Sequence, residues 1–454
     1  MSDASTALPR PVALADLGDN LIIRSARRED AAAVADLVYR AHEAKGSAND
    51  SVRAWVLDLM QRPHPTLTVE NVLVVENTLD GSIVSTLNLI PQTWSYGGVP
   101  FGVSRVELVG TDPAYEGRGL VRRQFEVLHR WSTERGHLLQ AITGIPNFYL
   151  QFGYEFALDT GGGRSVDRAE VPALSSHARE LTRIRVAEER DFPALVRIDR
   201  RAGERSLVAC ERDAASWRYE LSGRSPTSML SSTILILETN PVSDARPDII
   251  GYAVLGSGGF PGGSPAESVG LIRRFEIAAG FSWERATYAL LRHLTSESGG
   301  IPPTTEIQFV AGEHHPAYVA APRALARSIR SWSWYIRIPN LAAFLAQISP
   351  VLEARLAASD LAGYSGALTV SFYRTALRLR FDGGRVIAES WPDPNFRTAE
   401  ACFPGLSFLQ LVLGYRNPGE LEFASPDCRA GAGIPRQLIE TLFPKADSSV
   451  WPIG

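Results

Sequence analysis

The 454-residue sequence predicts a mixed α+β protein of two or three domains, and three observations support this prediction. Short apolar strands and amphipathic helices follow one another in an irregular order, without the strict alternation of a parallel α/β sheet. Segments of the first half recur in the second half. The C-terminal part then changes pattern again. We therefore predict two related domains followed by a third domain of a different α/β type.

Composition and charge describe an ordinary globular protein. Hydrophobic residues make up 45% of the chain and charged residues 21%. The longest apolar runs fall short of the roughly 20 residues that span a bilayer. The net charge of −4 gives no general attraction to nucleic acid or an anionic membrane. The three cysteines, Cys210, Cys402 and Cys428, have no metal-ligand spacing. We expect a cytoplasmic protein with no metal and no nucleic-acid or membrane partner.

The first domain is predicted over residues 21–165, after an N-terminal arm at residues 1–20 that lacks periodicity. Its elements follow from strand and helix periods in the apolar residues. They are a strand at Leu21–Arg24, a helix with the apolar face Val34, Leu37, Val38 and Ala41, strands at Leu73–Glu76 and Ile83–Ile90, a turn at 95–98 and a strand at Val103–Val109. The order is strand, helix, β-meander, strand, and then a further helix and strand.

The segment after this last strand is the most informative one. Pro113 and Gly117 end the strand pattern, and an amphipathic helix with the apolar face Val121, Phe125 and Leu128 begins after Gly119. Such a turn leaves unpaired N–H groups at the positive end of the helix dipole, which favours pyrophosphate binding. The P-loop pattern and the dinucleotide fingerprint are both absent from the sequence.

The window Glu116-Gly117-Arg118-Gly119-Leu120-Val121 resembles the acetyl-coenzyme A loop of the GNAT acetyltransferase superfamily, Arg/Gln-x-x-Gly-x-Gly/Ala. It departs from the pattern at both ends, with Glu116 and Val121. The resemblance implies that the strand end and the loop hold acetyl-CoA. The implied residues are Leu108, Val109, Gly110, Glu116, Gly117, Arg118, Gly119, Leu120, Val121 and Arg122.

An aromatic run about thirty residues later, Asn147-Phe148-Tyr149-Leu150-Gln151-Phe152-Gly153-Tyr154-Glu155, resembles the Tyr-x-x-Phe-Gly-Tyr/Phe-Glu run near the end of GNAT domains. In that superfamily the first tyrosine protonates the departing thiolate, which implies that Tyr149 is the general acid. A phenol with an ordinary pKa of about 10 suits a thiolate leaving group. The other aromatic residues of the run are expected only to pack.

A second domain, residues 178–345, is predicted from an internal repeat that follows a linker beginning at Gly161. Ile184-Arg185-Val186-Ala187 echoes Ile23-Arg24-Ser25-Ala26, and Arg274-Phe275-Glu276-Ile277 echoes Arg105-Val106-Glu107-Leu108. The glycine loop is not repeated, since the sequence passes directly through Gly280 to a helix at Trp283–His293. We therefore predict a degenerate GNAT-like domain that binds no coenzyme.

The third domain, residues 346–454, is predicted to contain a hairpin and a buried helix. The hairpin turns at Asp382-Gly383-Gly384, and the helix over 406–415 ends at Gly414. This pattern, with its Phe-Leu-Gln-Leu-x-x-Gly-Tyr run, resembles the sterol-carrier-like α/β domain. Two GNAT-like folds followed by such a domain resemble the enhanced intracellular survival (Eis) type of acetyltransferase. That resemblance implies a homo-oligomer, such as a hexamer.

The resemblance also implies an acetyl-CoA-dependent N-acetyltransferase that acts without a metal. Its acceptor would be a primary amine of an aminoglycoside-like polyamine, or a lysine side chain of a peptide. The implied general base is the C-terminal carboxylate, here that of Gly454. Glu107 is the alternative base, although an ion pair with Arg105 is a competing interpretation of it. A second class of function stays open: a hydrophobic-ligand-binding protein that uses the sterol-carrier-like domain and keeps a relic GNAT fold.

Overall fold

The computed structural model describes residues 13–43, 50–145, 147–160, 162–241, 246–256, 269–296, 306–330 and 332–454. The strands are β1 (Ala15–Gly18), β2 (Leu21–Ser25), β3 (Val72–Asn77), β4 (Ser82–Tyr96), β5 (Val99–Thr111), β6 (Leu139–Ile142), β7 (Glu155–Thr160), β8 (Gly163–Asp167), β9 (Thr182–Val186), β10 (Val208–Cys210), β11 (Ser232–Thr239), β12 (Ile249–Gly256), β13 (Val269–Ile277), β14 (Glu306–Phe309), β15 (Arg327–Ile329), β16 (Trp332–Arg337), β17 (Gly366–Ser371), β18 (Ala376–Asp382), β19 (Arg385–Trp391) and β20 (Ala401–Cys402).

The helices pack on three sheets. They are α1 (Ala31–Glu43), α2 (Asp50–Gln61), α3 (Leu120–Glu134), α4 (Phe192–Gly203), α5 (Ala214–Arg218), α6 (Trp283–Thr295), α7 (Pro316–Ala320), α8 (Leu341–Gln347), α9 (Ser349–Ala357), α10 (Phe408–Val412), α11 (Pro418–Ala424) and α12 (Ile434–Leu442). Within the described ranges, each helix is too short or too polar to cross a bilayer. The mixed α+β class predicted from the sequence is confirmed.

The first sheet has the strand order β1-β2-β3-β4-β5-β6-β16-β7, and β10 pairs with the far end of β4. Strands β1 to β5 form an antiparallel meander that contains the predicted strands, and β5 then pairs in parallel with β6. The long β4–β5 hairpin turns at Gly97 and Gly98, whose φ values of 53° and 84° favour glycine. Helix α2, which no sequence pattern had indicated, packs beside α1.

The second sheet has the order β15-β8-β14-β13-β12-β11-β9 and repeats an ion cluster of the first. Arg24 binds Asp30 at 2.6 Å and also binds Glu76. In the second sheet, Arg185 binds Asp191 at 2.7 Å and Glu238 at 3.0 Å. Each aspartate also accepts a backbone N–H three residues earlier, just before α1 or α4 begins. The internal repeat predicted from the sequence is therefore present in the fold.

The first two domains exchange strands. β16 pairs with both β6 and β7 in the first sheet, although the domain boundaries predicted from the sequence place it in the second domain. β8 pairs with β14 and β15 in the second sheet, although it begins in the predicted linker. The linker prediction is wrong for Gly163, because a Cβ there would lie 1.8 Å from the carbonyl oxygen of Phe309. This glycine allows close strand approach and does not mark a flexible segment.

The predicted N-terminal arm is also too long. Ala15–Gly18 pair with β2 as a short, half-exposed edge strand, whose weak apolar alternation gives little sequence signal. Residues 1–12 lie outside the described residues.

The third sheet has the order β19-β18-β17-β20 and contains the predicted hairpin between β18 and β19. The predicted buried helix is present as α10, and Gly414 follows it with a φ of 71°. The tip of the β4–β5 hairpin belongs to the same hydrophobic core, since Trp94 and Phe101 cluster with Phe344 and Phe408. The third domain is thus fixed to the first sheet. Its sterol-carrier-like character stays a prediction.

The duplicated ion cluster is expected to stabilise the fold. Arg24 and Asp30 have side chains only 5% and 12% exposed, so Arg24→Gln leaves two carboxylates without their cation. We expect the free energy of unfolding to fall by about 3–5 kcal/mol in urea denaturation. The control is Arg123→Gln, which breaks an exposed pair with Glu126 and should cost about 1 kcal/mol or less. Equal losses in the two variants would contradict this role.

Candidate active site

The glycine loop forms between β5 and α3, where the sequence predicted it. Gly117 and Gly119 have φ values of 76° and 74°, and a Cβ on either would have open space around it. The positive φ explains why both are glycine. Helix α3 begins at Leu120, so the N–H groups of its first turn have no carbonyl partner within the helix. The loop and the helix end can together bind a phosphate group.

Two arginines, Arg118 in the loop and Arg122 in the first turn of α3, lie at the predicted phosphate site. Arg118 lies over the ring of Tyr115 at 4.7 Å, and Arg122 donates to Gln151 Oε1 at 2.8 Å. Both side chains are exposed, and within the described residues neither forms an ion pair. Glu116 is exposed beside them. The positive charge of the two guanidinium groups is therefore available to an anionic ligand.

Strand β5 carries a bulge at Leu108, next to the loop. Leu87 of β4 faces both Leu108 and Val109, and Leu108 has a φ of 56°. A bulge interrupts the ladder and leaves a backbone group unpaired. β5 and β6 pair only from Val103 to Arg105, so β5 continues past the bulge without that neighbour. The interrupted edge provides backbone donors beside the glycine loop, where the sequence predicted the coenzyme.

Tyr149 lies in the 3₁₀ turn Tyr149–Phe152 and belongs to the same hydrophobic cluster as Leu120, the first residue of α3. Its side chain is buried in the aromatic cluster with Phe125, Phe148 and Tyr154. Burial raises the pKa of the phenol, and the negative charge of Glu107 raises it further. Tyr149 is therefore held protonated, which is the state a general acid needs. The described residues hold no group of three or more His, Cys, Asp or Glu side chains placed to bind a metal ion.

The C-terminal tail runs from the third domain to the first sheet. Arg274 donates to Ser449 Oγ at 2.8 Å, and the Arg212 guanidinium lies 3.6 Å from the ring centre of Trp451. Ile453 and Gly454 are both buried. The carbonyl oxygen of Ile453 accepts from Gln92 Nε2 at 2.6 Å. The last residues are therefore held in one position.

Arg105 brings the two candidate bases together. Its Nη2 donates to Glu107 Oε1 at 2.7 Å, and its Nη1 donates to the carbonyl oxygen of Ile453 at 3.0 Å. Arg224 donates to the terminal oxygen of Gly454 through Nε at 2.9 Å and Nη2 at 2.5 Å. Glu107 and Gly454 thus belong to the same site. The ion pair expected as a competing interpretation of Glu107 is also present.

Several residues at this site carried no recognisable sequence signal. Gln92 and Arg224 hold the tail from 361 and 230 residues away, and no local pattern indicates such contacts. Asn88 lies opposite Glu107 in the β4–β5 ladder and is fully buried. Among the described residues, neither polar atom of its amide has a hydrogen-bond partner. An unsatisfied buried amide costs about 1–3 kcal/mol, so its retention is typical of a functional site.

Family comparison agrees with this geometry. Residues 22–157 match the acetyltransferase (GNAT) domain family. Residues 22–157 form a GNAT acetyltransferase domain. The match includes the bulge, the glycine loop and Tyr149, so it covers the part of the chain where the sequence predicted the coenzyme. The GNAT fold implies an acyl-coenzyme A cosubstrate. A search of curated proteins finds no match.

Three solved structures share the fold over almost the whole chain. A probable N-acyltransferase from Enterococcus faecalis V583 has a TM-score of 0.66 and 14% identity, over 96% of this chain and 99% of its own. A GCN5-related N-acetyltransferase from Anabaena variabilis has a TM-score of 0.63 and 13% identity, over 95% and 99%. Eis1 from Mycobacterium abscessus has a TM-score of 0.57 and 14% identity, over 96% and 99%. The predicted resemblance to the Eis type is confirmed at the level of the fold.

Proposed function

We propose that this protein transfers the acetyl group of acetyl-CoA to a primary amine. The proposal is supported by the glycine loop and the bulged strand of the GNAT domain and by Tyr149, whose pKa the charge of Glu107 raises. Arg105 also contacts both Glu107 and the tail that ends at Gly454. The acceptor would be the amine of an aminoglycoside-like polyamine or of a lysine side chain. By resemblance to the Eis type, the enzyme would act in the cytoplasm as a homo-oligomer.

The loop has the features that a coenzyme pyrophosphate requires. The backbone N–H groups of Gly119, Leu120 and Val121 would bind it, supported by the helix dipole. Arg118 and Arg122 would add positive charge from side chains that have no carboxylate partner among the described residues. The bulge at Leu108–Gly110 would offer its N–H groups to the bound chain of the coenzyme. When bound, acetyl-CoA supplies the thioester that the amine attacks.

Different groups of the site carry out the separate proton transfers of the reaction. A carboxylate at Gly454 or Glu107 accepts the proton of the substrate ammonium, which leaves a neutral amine as nucleophile. As the new N–C bond forms and the C–S bond breaks, Tyr149 donates its proton to the departing thiolate. The nitrogen then loses its second proton, which restores the phenol of Tyr149 and leaves the neutral amide. A strand N–H near Leu108–Gly110 stabilises the oxyanion. The reaction needs no covalent acyl-enzyme.

We propose the carboxylate of Gly454 as the base in preference to Glu107. The tail is fixed by donors from Gln92, Arg105 and Arg224, which belong to separate parts of the chain. Ordering a chain end costs about 1–2 kcal/mol of backbone entropy per residue, so a tail without a role would more often be frayed. Both groups have an arginine partner, Arg224 for Gly454 and Arg105 for Glu107, so the preference rests on the ordered tail.

Coenzyme binding tests the function directly. Isothermal calorimetry with acetyl-CoA should give one site per chain, because only the first domain has the glycine loop. Gly119→Ala should weaken binding about tenfold or more, since an alanine at positive φ costs about 1–2 kcal/mol and distorts the helix start. Gly280→Ala is the matched control: its φ is 86°, its surroundings are equally open, and it lies in the second domain.

Gly280→Ala should leave the affinity unchanged. A stoichiometry of two, or equal losses in both variants, would contradict a single site. The absence of any binding would favour the alternative function, a hydrophobic-ligand-binding protein with a relic GNAT fold.

The general acid is tested with Tyr149→Phe. The ring and its packing remain while the proton is lost, so kcat should fall about 10²–10⁴-fold with little change in stability. Tyr154→Phe is the control, because Tyr154 is buried in the same aromatic cluster but its hydroxyl contacts His129. The measurement is the steady-state kcat of each variant. An unchanged kcat in Tyr149→Phe, or an equal loss of kcat in Tyr154→Phe, excludes Tyr149 as the general acid.

The two candidate bases can be compared by the same chemical change. Glu107→Gln converts one carboxylate to an amide, and ligation of a synthetic C-terminal peptide that ends in a carboxamide does so at Gly454. We expect the carboxamide to lower kcat about 10²–10⁴-fold and Glu107→Gln to have the smaller effect. Ligation of the natural peptide is the control. The reverse order of effects, with both proteins folded, would assign the base to Glu107.

A further inference from the structure

The acceptor side of the site has more guanidinium groups than carboxylates. Among the described residues, four guanidinium groups and three carboxyl groups surround the end of the tail: Arg105, Arg212, Arg224 and Arg273 against Glu107, Glu220 and Gly454. Asp58, which also lies nearby, is already paired with Arg62 at 3.0 Å. A substrate that carries only positive charges would therefore meet a site with excess positive charge.

Within the described part of the chain, Arg273 forms one hydrogen bond, whereas Arg212 forms one hydrogen bond and also contacts the Trp451 ring. The Nη2 of Arg273 donates to the carbonyl oxygen of Met229 at 3.2 Å, and within the described residues Arg273 has no carboxylate partner. The next residue, Leu230, flanks Gly454, since a Cβ on Gly454 would lie 2.9 Å from Leu230 Cδ1. Arg273 thus lies beside the tail, on the second-domain side of the site. Burial lowers its pKa to about 10, and the positive charges of Arg224 and Arg105 contribute.

Unpaired hydrogen-bond donors lie in the same region. Nδ1 of His64 accepts from the N–H groups of Thr66 and Leu67 at 3.1 and 2.9 Å, so Nε2 carries the proton. Among the described residues, this Nε2 and the Nε of Arg212 are buried without a hydrogen-bond partner. The His64 and Tyr219 rings are 4.5 Å apart, and Arg224 lies over the Tyr219 ring at 4.6 Å. The site therefore has spare donors and spare positive charge.

We infer that the acceptor carries an oxyanion, a carboxylate or a phosphate, in addition to its amine, and that Arg273 binds this oxyanion. The inference rests on the proposed function and names its substrate class. The ammonium would be placed at the carboxylates of Gly454 and Glu107, and the anion at Arg273. Such a substrate adds no net positive charge to the site, whereas a polycation would bring like charges together without compensation. Of the two acceptor classes proposed above, this favours a lysine that bears a carboxylate over an aminoglycoside.

The test compares acceptors that differ only in the anion. One pair is Nα-acetyl-lysine and its C-terminal amide, and the other is O-phosphoethanolamine and ethanolamine. In the wild type, kcat/KM for the better anionic acceptor should exceed that of its neutral counterpart about tenfold or more, the worth of one charge-assisted hydrogen bond. The pair that shows the preference identifies the anion as carboxylate or phosphate. A polycationic aminoglycoside should be a poorer acceptor than either anionic compound.

Two variants assign the preference to Arg273. Arg273→Gln should bring the ratio of kcat/KM for the anionic acceptor to kcat/KM for its neutral counterpart close to one. Arg273→Lys should keep part of this preference. Arg285→Gln, an exposed arginine of the same domain, should keep the wild-type ratio. Because Arg273 has no carboxylate partner among the described residues, its loss leaves none of the described acids unpaired, and we expect Arg273→Gln to fold. Arg273→Lys provides the measurement if it does not.

The inference is overturned if the neutral acceptors react as fast as the anionic ones. It is also overturned if the preference survives in both Arg273 variants, if the aminoglycoside is the best acceptor, or if none of these acceptors reacts although acetyl-CoA binds. Failure of the proposed function is distinguishable, because the wild type would then show no calorimetric binding of acetyl-CoA.

Discussion

The site depends on the contacts of one buried guanidinium. Arg105 binds Glu107 on its own strand and the carbonyl oxygen of Ile453, 348 residues further along the chain. A buried charge is tolerated only when its partners are in place, so the tail and the strand stabilise one another. Since the tail also contacts Arg224 of the second domain, the site is complete only when all three domains are assembled.

Strand exchange makes this assembly a single unit. β16 crosses back to lie between β6 and β7, and β8 crosses forward into the second sheet. Neither sheet can close its hydrogen-bond ladder without a strand from the other side of the predicted boundary. The aromatic run is included in this arrangement, because Tyr335 of β16 accepts from the N–H of Asn147 at 2.8 Å. The position of Tyr149 therefore depends on a strand that lies far along the sequence.

Local sequence patterns predicted those parts of the site whose conformation depends on residues close by in the sequence. Gly117 and Gly119 need positive φ whatever surrounds them, and the α3 face follows from helix period, so the sequence indicated both. Arg224 and Arg273 could not be predicted, because their roles arise from packing between domains. The linker predicted at Gly163 is wrong for a physical reason: glycine permits both flexibility and close strand approach, and the sequence alone does not distinguish them.

The two copies of the fold explain where the tail lies. Arg105 and Arg274 occupy corresponding places in the repeated segment, and both donate to the tail, at Ile453 and at Ser449. The tail therefore runs between equivalent strands and is held by the equivalent arginine of each. The second copy lacks the glycine loop, and its Glu276 is buried against Arg205, where burial raises the pKa of the carboxyl group. Duplication thus supplied a second arginine that holds the tail, while the geometry for coenzyme binding stayed in the first copy.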